Sequence, residues 1–107
     1  MVKIVIDNLD GKELEVNEGN HSVLHHVQEH FIDWMHACGG KGRCTTCKLV
    51  IISGSENFAP LTSAEIRYLQ AGELMAGERL ACQARLTGNV VIRVPEEGKM
   101  PHMKYSD

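Results

Sequence analysis

No apolar run in this chain is long enough to cross a bilayer: the longest wholly aliphatic stretch, Leu49 to Ile52, falls far short. The opening segment MVKIVIDNLDGKELEV lacks the long apolar region and small-residue cleavage site of a signal peptide, so a cytoplasmic protein without a membrane role is expected. No block of five like charges occurs, and 11 Lys and Arg stand against 14 Asp and Glu for a formal charge of -3. That leaves no basic footprint for nucleic acid or acidic lipid. Internal repeats and low-complexity tracts are also absent, and 107 residues leave no room for two domains. A single domain over residues 1–107 is expected, with 96–107 (EEGKMPHMKYSD) a loosely held tail. A chain of this size buries only about 60 to 70% of its extended surface on folding, so a bound metal centre would add much to its stability.

The patterned segments read as strands and helices in a definite order. VKIVI (2–6) and KELEV (12–16) flank the turn-forming cluster Asn8 to Gly11, which predicts a hairpin. Ser22 offers an N-cap to SVLHHVQEHFID, in which Leu24, Val27 and Phe31 recur at i, i+3 and i+7 as one apolar helix face. Residues 33–46 hold Gly39, Gly40 and Gly42 and predict a shaped loop, followed by the strand KLVIIS. Thr62 and Glu65 stand at N-cap and N3 spacing for a capping box, flanked by Leu61 and Ile66, and Gly72 marks the end of that short helix. RLACQA (79–84) and NVVIRV (89–94) predict the last two strands. The fold class is therefore α+β: a mixed sheet packed on one main helix, with a second short helix.

A reducing compartment disfavours structural disulfides, so the four cysteines point to metal binding, catalysis or inert burial. Cys38, Cys44 and Cys47 form C-x5-C-x2-C, and Cys82 follows after 34 further residues. A zinc ribbon or finger closes its tetrahedron with two short knuckles, and no second knuckle follows here. A dithiol at Cys44 and Cys47 would open a helix in a thioredoxin-like protein, yet here it runs straight into the strand LVII. A Rieske centre needs two His ligands, and no Cys-x2-His follows. A 2Fe-2S cluster on four thiolates suits the composition best. Its anionic sulfurs need inward-facing N–H groups, which Gly39, Gly40 and Gly42 permit; Lys41 and Arg43 supply positive charge, and Thr45 and Thr46 can donate to sulfur.

HACGGKGRCTTCKLVI around the first three cysteines and RLACQARLTGNVVIRVP around the fourth resemble the 2Fe-2S ferredoxins of β-grasp fold, from the first hairpin to Pro95. One residue more than the plant-type C-x4-C-x2-C separates the first pair, as in the adrenodoxin-like and bacterial branch. The CGGxGxC run departs from adrenodoxin itself and resembles various bacterial ferredoxins and ferredoxin domains. The resemblance implies a β-grasp fold and one 2Fe-2S cluster held by Cys38, Cys44, Cys47 and Cys82. It further implies Cys38 and Cys44 on the iron nearer the surface, with Cys47 and Cys82 on the inner one. The implied role is that of a soluble, monomeric one-electron carrier rather than an enzyme. It would serve a ferredoxin reductase and an electron acceptor, either an oxygenase or a pathway of iron-sulfur or cofactor assembly. The rival from a different class is a structural zinc-binding interaction module without redox activity.

Four thiolates, two ferric ions and two sulfides sum to about -2, becoming about -3 on reduction, so donors to sulfur should set the potential. Glu65, Glu73 and Glu78 are the candidate acidic residues for docking on a basic partner, with an ordinary solvated face as the plain alternative. His26 and His30, at i and i+4, read as a polar helix face rather than a chelate, and His36 as a loop histidine. Trp34 and Phe31 read as core packing rather than electron relays.

Overall fold

The computed structural model describes residues 2–16, 21–32, 34, 47–96, 99–101 and 103–106. Strands β1 (Val2–Ile6) and β2 (Lys12–Val16) form the expected antiparallel hairpin, with Ile4 opposite Leu14. Alternation places Val2, Ile4, Ile6, Leu14 and Val16 in the core. β3 (Lys48–Ser53), β4 (Glu78–Leu80) and β5 (Val90–Arg93) complete a five-stranded sheet in the order β2-β1-β5-β3-β4. β1 and β5 pair in parallel at its centre and every other pairing is antiparallel, so the sheet is mixed. The main helix α1 (Val23–Glu29) buries Val23, Leu24 and Val27 against this sheet, and α2 (Ser63–Gln70) lies between β3 and β4 in sequence. This is the α+β, β-grasp arrangement that the resemblance implies.

Both helices start where the capping residues stand. The Ser22 hydroxyl accepts from the His25 N–H at 3.2 Å. Thr62 and Glu65 exchange the two bonds of a capping box, at 3.3 Å and 3.1 Å, and α2 gives way at Ala71 to Gly72 with φ 77.

Four expectations need correction. First, α1 stops at Glu29, so Phe31 is not on its apolar face but is 97% exposed with φ 59. The Phe31 N–H donates to Gln28 O at 3.1 Å and the Ile32 N–H to Val27 O at 3.0 Å, which is a Schellman ending. Its associated apolar contact falls to buried Ile32 and Val27, and Phe occupies the left-handed position usually taken by Gly. Second, β4 ends at Leu80 instead of running to Ala84. Gln83 and Ala84 donate back to Leu80 O, and the carbonyls of Ala81 and Ala84 accept from the Leu24 and Val23 N–H groups. The turn thus satisfies first-turn donors of α1 that no helical carbonyl can reach.

Third, β5 begins at Val90 and ends at Arg93, because the buried Asn8 side chain takes over beyond it. Asn8 Nδ2 donates to Val94 O and its Oδ1 accepts from the Val94 N–H, both at 2.8 Å. Fourth, the described part of the tail is tied down. The Ser106 N–H donates to Asn8 O at 2.9 Å, Ser106 Oγ accepts from the Asp10 N–H at 3.0 Å, and Met103 and Tyr105 pack on the core.

Candidate metal centre

Cys47 stands immediately before β3 and Cys82 two residues beyond β4, so the pairing of those strands decides where both lie. Lys48 is opposite Leu80, and the register continues one step further, with the Ala81 N–H donating to Cys47 O at 3.0 Å. Cys47 and the residue preceding Cys82 are therefore cross-strand neighbours, and the two cysteines share one end of the strand pair. Both are buried, Cys47 at 1% and Cys82 at 8% exposure. α1 fixes the Cys82 turn from the other side through Leu24 N–H to Ala81 O at 2.8 Å and Val23 N–H to Ala84 O at 2.9 Å.

Two further donors reach these cysteines. Buried Trp34 donates its indole N–H to Cys47 O at 3.3 Å, and Gln83 Nε2 approaches Cys82 Sγ at 3.7 Å. Soft sulfur donors on a backbone braced by hydrogen bonds, one of them facing an amide N–H, suit an anionic metal–sulfur group. The residues present therefore fit such a group. Cys38 and Cys44 lie outside the described residues, as do Gly39, Gly40, Lys41, Gly42, Arg43, Thr45, Thr46 and His36. Trp34 is core packing as expected, but the sequence carries no signal for the carbonyl that its N–H meets.

The acidic docking set is largely overturned. Glu65 is fully buried: its carboxylate accepts from Arg79 Nε at 2.7 Å, Arg79 Nη2 at 2.8 Å, the Leu80 N–H at 3.0 Å and the Thr62 N–H at 3.1 Å. Arg79 extends the network to Ala59 O at 2.9 Å. The capping-box spacing foretells one of Glu65's bonds; the partnership with Arg79 is a contact across 14 residues that no local pattern encodes. Glu78 is half-buried, accepts the Met75 N–H at 2.8 Å and lies 3.7 Å from Lys48 Nζ. Of the three, Glu73 alone is exposed.

Of the two histidines read as a polar helix face, His30 is exposed as expected and His26 is not. His26 is buried, and burial, reinforced by the neighbouring His25, lowers its pKa. His25 Nε2 lies 3.1 Å from Glu29 Oε1, His21 stacks on His25 with ring centroids 4.0 Å apart, and His30 Nδ1 engages the His26 carbonyl at 2.9 Å. Among the described residues, no group of three or more His, Cys, Asp or Glu is placed to hold a metal ion. No helix among them is long and apolar enough to cross a membrane.

Comparison with known proteins identifies the family. The family model described as a 2Fe-2S iron-sulfur cluster binding domain matches residues 5–87. The protein called 2Fe-2S ferredoxin-5 of Aquifex aeolicus is 40% identical over 98 residues, covering 89% of this chain and 100% of that protein. Among solved structures, the ISC-like 2Fe-2S ferredoxin FdxB from Pseudomonas putida superposes with a TM-score of 0.77 at 24% identity, covering 96% of this chain and all of that one. Oxidized putidaredoxin gives 0.66 at 25% identity, covering 88% and 96%. The chain therefore belongs to the 2Fe-2S ferredoxin family, electron carriers that bind one 2Fe-2S cluster.

Proposed function

We propose that Cys38, Cys44, Cys47 and Cys82 are the four cluster ligands, with Cys47 and Cys82 on the inner iron, in a cytoplasmic shuttle between a reductase and an acceptor protein. The observation that carries this reading is the β3–β4 register, which brings two buried cysteines 35 positions apart in the chain to one end of a strand pair. When bound, the cluster supplies the one-electron chemistry. The chain's own part is to exclude water, through burial of Cys47 and Cys82 against Leu80, Ala81 and Ala84, and to direct the Gln83 amide at one sulfur. An N–H donor to sulfur favours the more negative, reduced state and so raises the potential.

Docking falls to the outer face of α2 and the turn after it. Ile66, Leu69 and Met75 are exposed there at 42%, 39% and 62%, and Glu73 is exposed in the same turn. Three exposed apolar side chains, with Arg67 and Glu73 as one exposed charge of each sign in the same stretch, favour a partner face that is mainly apolar, with a modest salt dependence. The acceptor is an oxygenase or a protein of iron-sulfur or cofactor assembly.

The test is the visible and electron-resonance spectrum of each Cys→Ser variant beside the parent. The reading expects a coloured protein that bleaches on one-electron reduction, and for Cys82→Ser a cluster that is altered and poorly retained, with a lowered melting temperature. A colourless parent containing zinc would establish the structural module instead. A Cys82→Ser protein with the parent's spectrum and melting would remove Cys82 from the ligand set.

A further inference from the structure

We propose that Trp34 is a positioning residue for the cluster: its indole N–H latches together the two chain points that bracket Cys38 and Cys44. The inference rests on the four-cysteine reading above and concerns how those ligands are held.

Trp34 is 3% exposed, and a buried indole N–H is a donor that must find an acceptor. It finds Cys47 O at 3.3 Å, a bond across 13 residues. The same oxygen accepts the Ala81 N–H at 3.0 Å, so both of its lone pairs are engaged. One carbonyl oxygen thus joins three separate chain points: residue 34 before the cysteine-rich segment, Cys47 at its end, and Ala81 next to Cys82. The indole has a firm base, since buried Ile32, two residues earlier, is held by its own bond to Val27 O at the end of α1.

The stretch from 35 to 46 contains Cys38 and Cys44. The bond between Trp34 and Cys47 ties together the described residues on either side of that stretch, so less loop-closure entropy is left to lose when four sulfurs converge. Without the bond the same ligands remain, but they separate more readily. The effect falls on the lifetime of the bound cluster rather than on the identity of its ligands.

The experiment compares three side chains at position 34 in the full, cluster-loaded chain. Trp34→Phe keeps an aromatic ring without the N–H. A 3-benzothienylalanine at the same position keeps the two-ring outline and replaces the N–H by sulfur, and 5-fluorotryptophan keeps the N–H as the conservative rescue. The readout is the rate at which the visible band decays under excess chelator, recorded with the electron resonance of the reduced form. The benzothienyl variant should lose its cluster roughly three- to tenfold faster, the range expected for one net hydrogen bond, with the parent's resonance unchanged. The fluorinated variant should decay at the parent's rate. Benzothienyl and parent proteins decaying alike would overturn the latch, because a packing role alone survives that replacement. Should Trp34→Phe fold poorly, the benzothienyl and fluorinated pair still decides. The Cys→Ser spectra report separately on the ligand set: a Cys47→Ser or Cys82→Ser protein with the parent's spectrum would defeat the four-cysteine reading, whatever the decay rates.

Discussion

Glu65 shows how far a single residue's environment can depart from its local pattern. Its carboxylate holds the N-terminus of α2, the Arg79 guanidinium and the Leu80 amide at once, in full burial. Substituting Glu65→Gln removes the negative charge and leaves Arg79 buried without its counterion, which costs on the order of 3 to 5 kcal/mol. A urea unfolding series would measure this, and a change below about 1 kcal/mol would contradict the burial described here. His26 gives a second residue-scale prediction. Burial and His25 depress its pKa below the ordinary value of about 6.5, so the unfolded chain binds its proton more tightly than the folded one. Its contribution to stability is therefore complete above that ordinary value and is lost as pH falls through the lower folded value. Urea midpoints of the parent should fall more between pH 7.5 and 5.5 than those of His26→Asn; equal pH dependence in the two would count against the prediction. The sequence discloses His26 and Glu65 as residues but not their burial, since that depends on which distant segments close over them.

At the scale of elements, the hairpin, β3 and the start of α2 are legible in the sequence because short-range chemistry decides them. Alternation sets β1 and β2, and Thr62 with Glu65 caps α2 within one turn. The end of α1 is not legible, because its left-handed residue is Phe31 where a Gly or Asn would have announced the stop. This site predicts its own improvement. Phe31→Gly relieves the left-handed strain while Phe31 gives up no burial, being 97% exposed, so the variant should be more stable by about 1 kcal/mol. A raised melting temperature is the expected result, and a lowered one would mean that Phe31 packs on something. The sequence pattern overextends β4 for a related reason: RLACQA alternates well enough for a strand, but α1 claims the Ala81 and Ala84 carbonyls, a competition invisible along one segment.

For the whole molecule, the fold class and cofactor class are legible because cysteine spacing and element order are properties of the linear chain. The docking face is not, since two of the three candidate carboxylates are engaged in contacts with other segments. The tail belongs to the same scale: Ser106 binds it to the β1–β2 turn, and Met103 and Tyr105 pack on the core, closing the chain's far end on its beginning. Truncation before Lys99 should therefore destabilise the protein by roughly 1 to 3 kcal/mol, read from chemical denaturation, whereas a loose tail would leave stability unchanged. The proposed cofactor site takes four thiolates of one chain around a pair of irons. Its most direct test is quantification of metal and acid-labile sulfide in the purified protein. About two irons and two sulfides per chain are expected; one zinc with no sulfide would rule the cluster out.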